Sequence, residues 1–216
     1  MADETLALVW LGLCWLGYGL LHSGLAATSV RSALGRRWPA LGARYRLAFN
    51  SIAVITLAPA LWLRHGRDWT LLWAEPAWLR GLLNGLAILA LLGLMRSARH
   101  YDMAGFLGLS RRSTVGGLRI SPWHRYVRHP WYALALVLLW TRPPDTANLL
   151  TAALLSLYLI IGSRLEEHKL LAEFGEAYAR YRAAVPGLLP WPGRSLRAEQ
   201  AAQLEAQAAA HFKESA

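Results

Sequence analysis

The second half of the chain carries two polar clusters separated by apolar residues: Arg128-His129-Pro130-Trp131-Tyr132, then Arg164, Glu166, Glu167 and His168. Folding the apolar stretch as a hairpin brings the clusters together. Pro130 suits the first turn of a helix, where free N–H groups and the nearby Arg128 favour a carboxylate. Glu166 or Glu167 can accept hydrogen bonds from ribose hydroxyls. A ligand with a carboxylate, a ribose and an aromatic base satisfies the whole set; a salt bridge between two helices leaving a membrane accounts for the arginine and glutamates equally well. His22 offers different chemistry. A thiol must lose its proton to become a nucleophile, and an imidazole titrating near neutrality can take it. A snorkelling or hydrogen-bonded histidine at a membrane interface has the same sequence signature. His100, His124 and His168 read as solvated loop residues. Asn50 reads as a partner for a neighbouring helix, and Asp102 as either the cap of a short helix or a residue lining the site. Cys14 is the single cysteine, so no intrachain disulfide and no multi-cysteine metal site can form, and no metal is expected.

The elements that must position these groups belong to a membrane. Of 216 residues, 55% are hydrophobic and 17% charged, with mean hydropathy +0.26. A soluble domain carries about a quarter charged residues. Disorder, coiled coil and collagen are excluded. The net charge of +10 fits a nucleic acid or a membrane surface, and the hydropathy selects membrane lipids over nucleic acid. Residues 5–27 form an uncharged run long enough to cross the hydrocarbon core. With Asp3 and Glu4 ahead of it and no Lys or Arg, it does not read as a cleaved signal peptide. Residues 47–63 and 78–95 make two further spans, Arg80 lying close enough to an end to snorkel. Residues 131–140 and 147–162 are shorter and separated by Thr141-Arg142-Pro143-Pro144, the pattern of a tight hairpin. The expected fold is all-α and polytopic, with about five transmembrane helices, the last two a short hairpin, plus cytoplasmic amphipathic helices.

Orientation follows from the basic residues between spans. Residues 28–46 hold five and residues 96–130 hold seven, against two, Arg64 and Arg67, in residues 64–77. That last loop also carries Trp69 and Trp73 between Trp62 and Trp78, as in an interfacial aromatic belt. The amino terminus is expected outside and the carboxyl terminus in the cytoplasm. Past Gly162 the period becomes helical, with Glu167, Leu171, Phe174, Tyr178, Tyr181 and Val185 on one face and Glu176 and Arg180 paired on another. Residues 1–192 are expected to form one membrane domain, its cofactor half about 96–192. Residues 193–216 read as a cytoplasmic helical or flexible tail, solvated and without chemistry.

Arg128-His129-Pro130-Trp131-Tyr132, Glu166-Glu167, and Phe174-Gly175 with Tyr178, Tyr181, Val185, Pro186 and Pro190 resemble the carboxyl-terminal signature of the isoprenylcysteine carboxyl methyltransferase-like membrane enzymes. Upstream, Leu21-His22-Ser23, Tyr45-Arg46-Leu47 with Asn50, and Tyr101-Asp102 with Gly105-Phe106-Leu107-Gly108-Leu109 are similar to the branch holding bacterial methanethiol S-methyltransferases and NnrU-type proteins. The resemblance implies an S-adenosylmethionine-dependent methyltransferase, integral to a bacterial inner membrane. Its cofactor residues would be Arg128, His129, Tyr132, Glu166 and Glu167, with Tyr178 and Tyr181 contributing; the candidate general base, His22, comes from its place in the first span. The acceptor it implies is a small thiol such as methanethiol, with a prenylcysteine carboxyl or a phospholipid as alternatives. Leu134 stands where the family carries glycine, and its side chain would narrow the cofactor's approach. A second reading is a haem-binding NnrU-like protein with His22 and His129 as axial ligands. A structural subunit or small transporter is disfavoured, because the spans lack the buried charges of an ion pathway.

Overall fold

The computed structural model describes residues 2–109 and 117–214, and it is helical throughout its long elements. In chain order these are α1 (Ala2–Ala26), α2 (Thr28–Arg37), α3 (Pro39–Ala43), α4 (Tyr45–His65), α5 (Ala77–Ala98), α6 (Met103–Leu107), α7 (Pro130–Trp140), α8 (Thr146–Ala184) and α9 (Ala198–Glu214). Helices α1, α4, α5 and α8 are long and apolar enough to cross a membrane, and α7 is a shorter apolar helix. Leu6, Val9, Leu13, Val54, Ile55, Ile88 and Leu89 are more than half exposed, a surface that lipid, not water, accommodates. This is an all-α polytopic membrane protein.

The chain divides into two compact units. The first contains α1 to α4, α5 as far as Gly85, α6, and Leu139–Tyr158. Its core is Leu11, Trp15, Ala60 and Ala147, joined by Cys14, Leu57, Trp69 and Leu150. Small residues let the helices approach closely: a Cβ on Gly12 would stand 3.8 Å from Leu150 and one on Gly19 3.3 Å from Tyr158. Trp15 Nε1 donates to Thr151 Oγ1 at 3.0 Å and Ser23 Oγ to Tyr158 at 3.3 Å, so α8 accompanies α1 over most of its length. At one end the amino terminus, the loop after α4 and the turn before α8 are fastened together. Glu4 accepts from Thr70 and from Thr146 at 2.7 Å, Arg67 pairs with Asp3 at 2.7 Å, and Arg64 pairs with Asp145 at 2.7 Å. Trp69 departs from the expected aromatic belt. It packs on the core, with Nε1 donating to the Arg64 carbonyl, whereas Trp62, Trp73 and Trp78 are exposed.

The motif fragments of the first half assemble here too. Arg46 Nη1 donates to the Gly105 carbonyl at 2.9 Å and Asn50 Nδ2 to the Phe106 carbonyl at 3.0 Å, docking α6 on the start of α4. Asp102 caps α6 by accepting from the Gly105 N–H at 2.9 Å. Gly108 closes α6 at φ 80°, and a Cβ there would come within 2.5 Å of the Leu47 nitrogen.

Two expectations about the second half are corrected. The last hairpin does not have two short arms: α8 continues for 39 residues, straight through Gly162. No proline lies between Pro144 and Pro186, and the Leu, Glu, Lys and Ala after residue 162 propagate a helix as well as the apolar residues before it. The interruption falls instead at Gly175, whose φ 51°, ψ −130° kinks the helix in a conformation that side chains resist. The tail is not wholly solvated either. Leu196, Ala201, Leu204 and Ala208 are buried in the core of the second unit with Leu118, Ile120, Phe174, Tyr178, Tyr181 and Val185.

Candidate functional site

Helix α7 opens at Pro130, and the two residues before it are held by the turn after α8: Arg128 N–H donates to the Pro186 carbonyl at 2.9 Å and His129 N–H to the Gly187 carbonyl at 3.0 Å. This brings both against Glu167 of α8. Arg128 Nε and Nη2 donate to Glu167 Oε1 at 2.9 and 2.6 Å, and His129 Nε2 lies 3.1 Å from the same oxygen. Arg128 Nη1 is engaged as well, donating to the carbonyls of Arg182 and Val185. His129 Nδ1 faces Glu166 at 3.5 Å, its ring stacks on Tyr132 at 5.3 Å, and the Tyr132 hydroxyl donates to Glu166 at 3.3 Å. The expected juxtaposition of Arg128, His129, Tyr132, Glu166 and Glu167 is therefore present in the second unit. So is the salt bridge.

A cavity of about 510 Å³ opens beside that salt bridge, bounded by Arg128, Ser163, Arg164, Glu167, His168, Arg182 and Gly187. Its size falls within the roughly 300–1,000 Å³ of small-molecule sites. Glu167 Oε1 is taken up by Arg128 and His129, whereas Oε2 has Arg182 at 3.6 Å, which leaves it able to accept from a ligand hydroxyl. Arg128 is already committed to Glu167 and two carbonyls. Arg164 lines the cavity and makes no ion pair among the described residues, so its charge is available to an incoming carboxylate beside that of Arg182. Ser163, Arg182 and Gly187 were not legible as site residues. Nothing local marks them, although Arg182 lies four turns along the helix that carries Glu167.

Other expectations change. Leu134 does not line the cavity; its methyl groups lie 3.3 Å from where a Cβ on Gly93 would stand, so it fills the space that a glycine on α5 leaves. Tyr178 and Tyr181 are buried in the apolar cluster, the Tyr178 hydroxyl lying near Arg128 and Glu167 and the Tyr181 hydroxyl donating to the His124 carbonyl at 2.7 Å. His168 is exposed on α8, not in a loop. His124 is not solvated. It sits in the 3-10 turn Trp123–Arg125 with Nδ1 2.7 Å from Ser121 Oγ, and burial, followed by the nearby His129, pushes its pKa down to about 4. A histidine whose folded pKa lies below its unfolded value supports the fold fully above the unfolded pKa. That support is lost as pH falls from about 6.5 towards 4, to a total on the order of 3 kcal/mol. The thermal midpoint in detergent is expected to drop across that window, and His124→Gln should flatten the drop. An equally steep drop in the variant would assign it to other groups.

His22 lies in the first unit, on α1, among Tyr18 at 5.6 Å, Phe49 at 4.7 Å and Tyr158 at 6.4 Å between ring centroids. Its Nδ1 is buried and has no hydrogen-bond partner among the described residues.

No family model and no solved structure matches the chain. It is 32% identical, over 184 residues, to a methanethiol S-methyltransferase of a Pseudomonas species, a match covering 78% of this chain and 68% of that protein. The chain belongs to the methanethiol S-methyltransferase family. Shorter matches agree: 38% identity over 101 residues to the methanethiol S-methyltransferase of Crocosphaera subtropica, and 41% over 69 to methanethiol S-methyltransferase 1 of Bradyrhizobium diazoefficiens. These span 44% and 32% of this chain, and 40% and 24% of the relatives. Membership in the methanethiol S-methyltransferase family makes the chain a methyltransferase, and the haem-carrier reading gives way to it. Both ring nitrogens of His129 already face carboxylates, which leaves neither free for axial ligation.

Proposed function

We propose that this methyltransferase transfers a methyl group from S-adenosylmethionine to a small thiol of the methanethiol kind. The named activity of its relatives supports the acceptor. The donor reading is carried by one observation, the cavity that joins the available oxygen of Glu167 to the guanidinium of Arg164. A nucleoside with a charged amino-acid tail matches such a wall: Glu167 Oε2 accepts from the ribose, Arg164 and Arg182 face the carboxylate, and Arg128 and His129 hold Glu167 in place. When bound, S-adenosylmethionine supplies an electrophilic methyl group on a sulfonium, which a correctly aligned thiolate can take without a metal. His22 is the proposed acceptor of the thiol proton, supported by its partnerless buried nitrogen. The membrane is proposed to be a bacterial inner membrane, with the amino terminus outside. The positive-inside counts support that orientation, as does the fastening of residues 3, 4, 64–70 and 145–146 at one end of the first unit.

Detergent-purified protein given methyl-labelled S-adenosylmethionine and a panel of thiols, prenylcysteines and phospholipids should label the small thiol as its methyl thioether. Label on a prenylcysteine carboxyl or a phospholipid would replace the acceptor, and no transfer together with no S-adenosylhomocysteine binding would remove the donor reading.

A further inference from the structure

The segment 117–129 delivers Arg128 to the cavity and His129 to Glu167, yet its one regular element is the 3-10 turn Trp123–Arg125. A segment with few hydrogen bonds of its own must pair its backbone with whatever it touches. At its far end the partners are the Pro186 and Gly187 carbonyls. Ahead of them, the partners come from the last residues of the chain. The Leu196 N–H donates to the Arg125 carbonyl at 3.0 Å, while Arg125 Nε donates back to the Leu196 carbonyl at 2.9 Å. Nine residues on, a carboxylate oxygen of Glu205 on α9 accepts from the Ile120 N–H at 2.5 Å. Leu118 and Ile120 are buried in the same apolar cluster as Leu196 and Leu204. The bond to Glu205 is charge-assisted, roughly twice as strong as one between neutral groups.

We infer that residues 196–214, α9 and the residues leading into it, form a positioning element of the methyl-donor site. Glu205, through Ile120, and Leu196, through Arg125, set the path of residues 118–129 and so aim Arg128 and His129 at Glu167. The inference rests on the reading of that cluster as the donor site. Neither Glu205 nor Leu196 lines the cavity.

The test uses the full chain in detergent, with S-adenosylhomocysteine as the calorimetric probe and hydrogen exchange at the Ile120 amide as a separate readout. Glu205→Ala should weaken binding about tenfold, the scale of one lost charge-assisted bond, and speed exchange at Ile120. KM for the donor should rise in step while turnover at saturating donor stays close to that of the unaltered protein. Glu205→Gln keeps an oxygen acceptor and should recover most of the affinity. If the alanine variant does not fold, Glu205→Asp, which draws the carboxylate back by one methylene, is read in the same way. A lower melting temperature with unchanged affinity and donor KM would overturn the inference, because α9 would then merely stabilise the unit. Failure of the unaltered protein to bind the probe would overturn the donor-site reading instead, a result told apart because Ile120 exchange reports the clamp independently.

Discussion

Arg128→Ala is expected to destabilise the second unit by about 3–5 kcal/mol, the cost of stripping the partner from a buried charge. The side chains of Arg128 and Glu167 are 11% and 9% exposed, so water screens neither. Loss of the guanidinium also orphans the carbonyls of Arg182 and Val185, which it binds through Nη1. Arg128→Lys should rescue little, since an ammonium places its donors on one nitrogen and cannot span Glu167 on one side and those carbonyls on the other as the planar guanidinium does. Glu167→Gln should cost less stability than Arg128→Ala, because an acceptor for Arg128 remains, while S-adenosylhomocysteine binding weakens about tenfold or more. Thermal and denaturant unfolding, read beside calorimetry on the folded variants, separates the two effects. An Arg128→Ala protein with an unchanged midpoint would mean that the pair is solvated in the membrane-bound enzyme. Glu167→Gln with unchanged affinity would return the cluster to a structural salt bridge.

That cluster was legible because its parts are local. Arg128, His129 and Tyr132 lie within five residues and Glu166 and Glu167 are adjacent, so one hairpin suffices to predict their meeting. The four long spans were legible because hydropathy is a property of composition. The helix past Gly162 was legible in its own period, but its unbroken continuation from the apolar span was not, since an apolar count stops where charge begins and a helix does not. The fastening of the tail was hidden more deeply. Glu205 and Ile120 are 85 residues apart, and α9 looks solvated by itself because Ala201 and Ala208 bury little area each and gain a partner only in the fold. The surroundings of His124 and Leu134 were hidden for a related reason. Nothing beside His124 announces that Tyr181 will cover its turn, and nothing beside Leu134 announces a glycine on another helix.

His22→Ala is expected to lower turnover with a thiol acceptor by roughly a hundredfold or more, the usual contribution of a general base, with S-adenosylhomocysteine affinity unchanged. The imidazole is walled by Tyr18, Phe49 and Tyr158, and Tyr158 is further tied to Ser23. A nitrogen kept from water by such rings and left unpaired has a reason to persist if it receives a proton during the reaction. Raising the pH should restore part of the variant's rate, because a thiol already ionised needs no base. The unaltered protein should gain less over the same range. His22→Gln, which preserves much of the packing but not the basicity, should be as slow as the alanine variant and show the same recovery. If either variant turns over at the full rate, His22 is an interfacial histidine and the proton leaves by another route. If both are slow at every pH while donor affinity falls, His22 acts on the fold and not on the thiol.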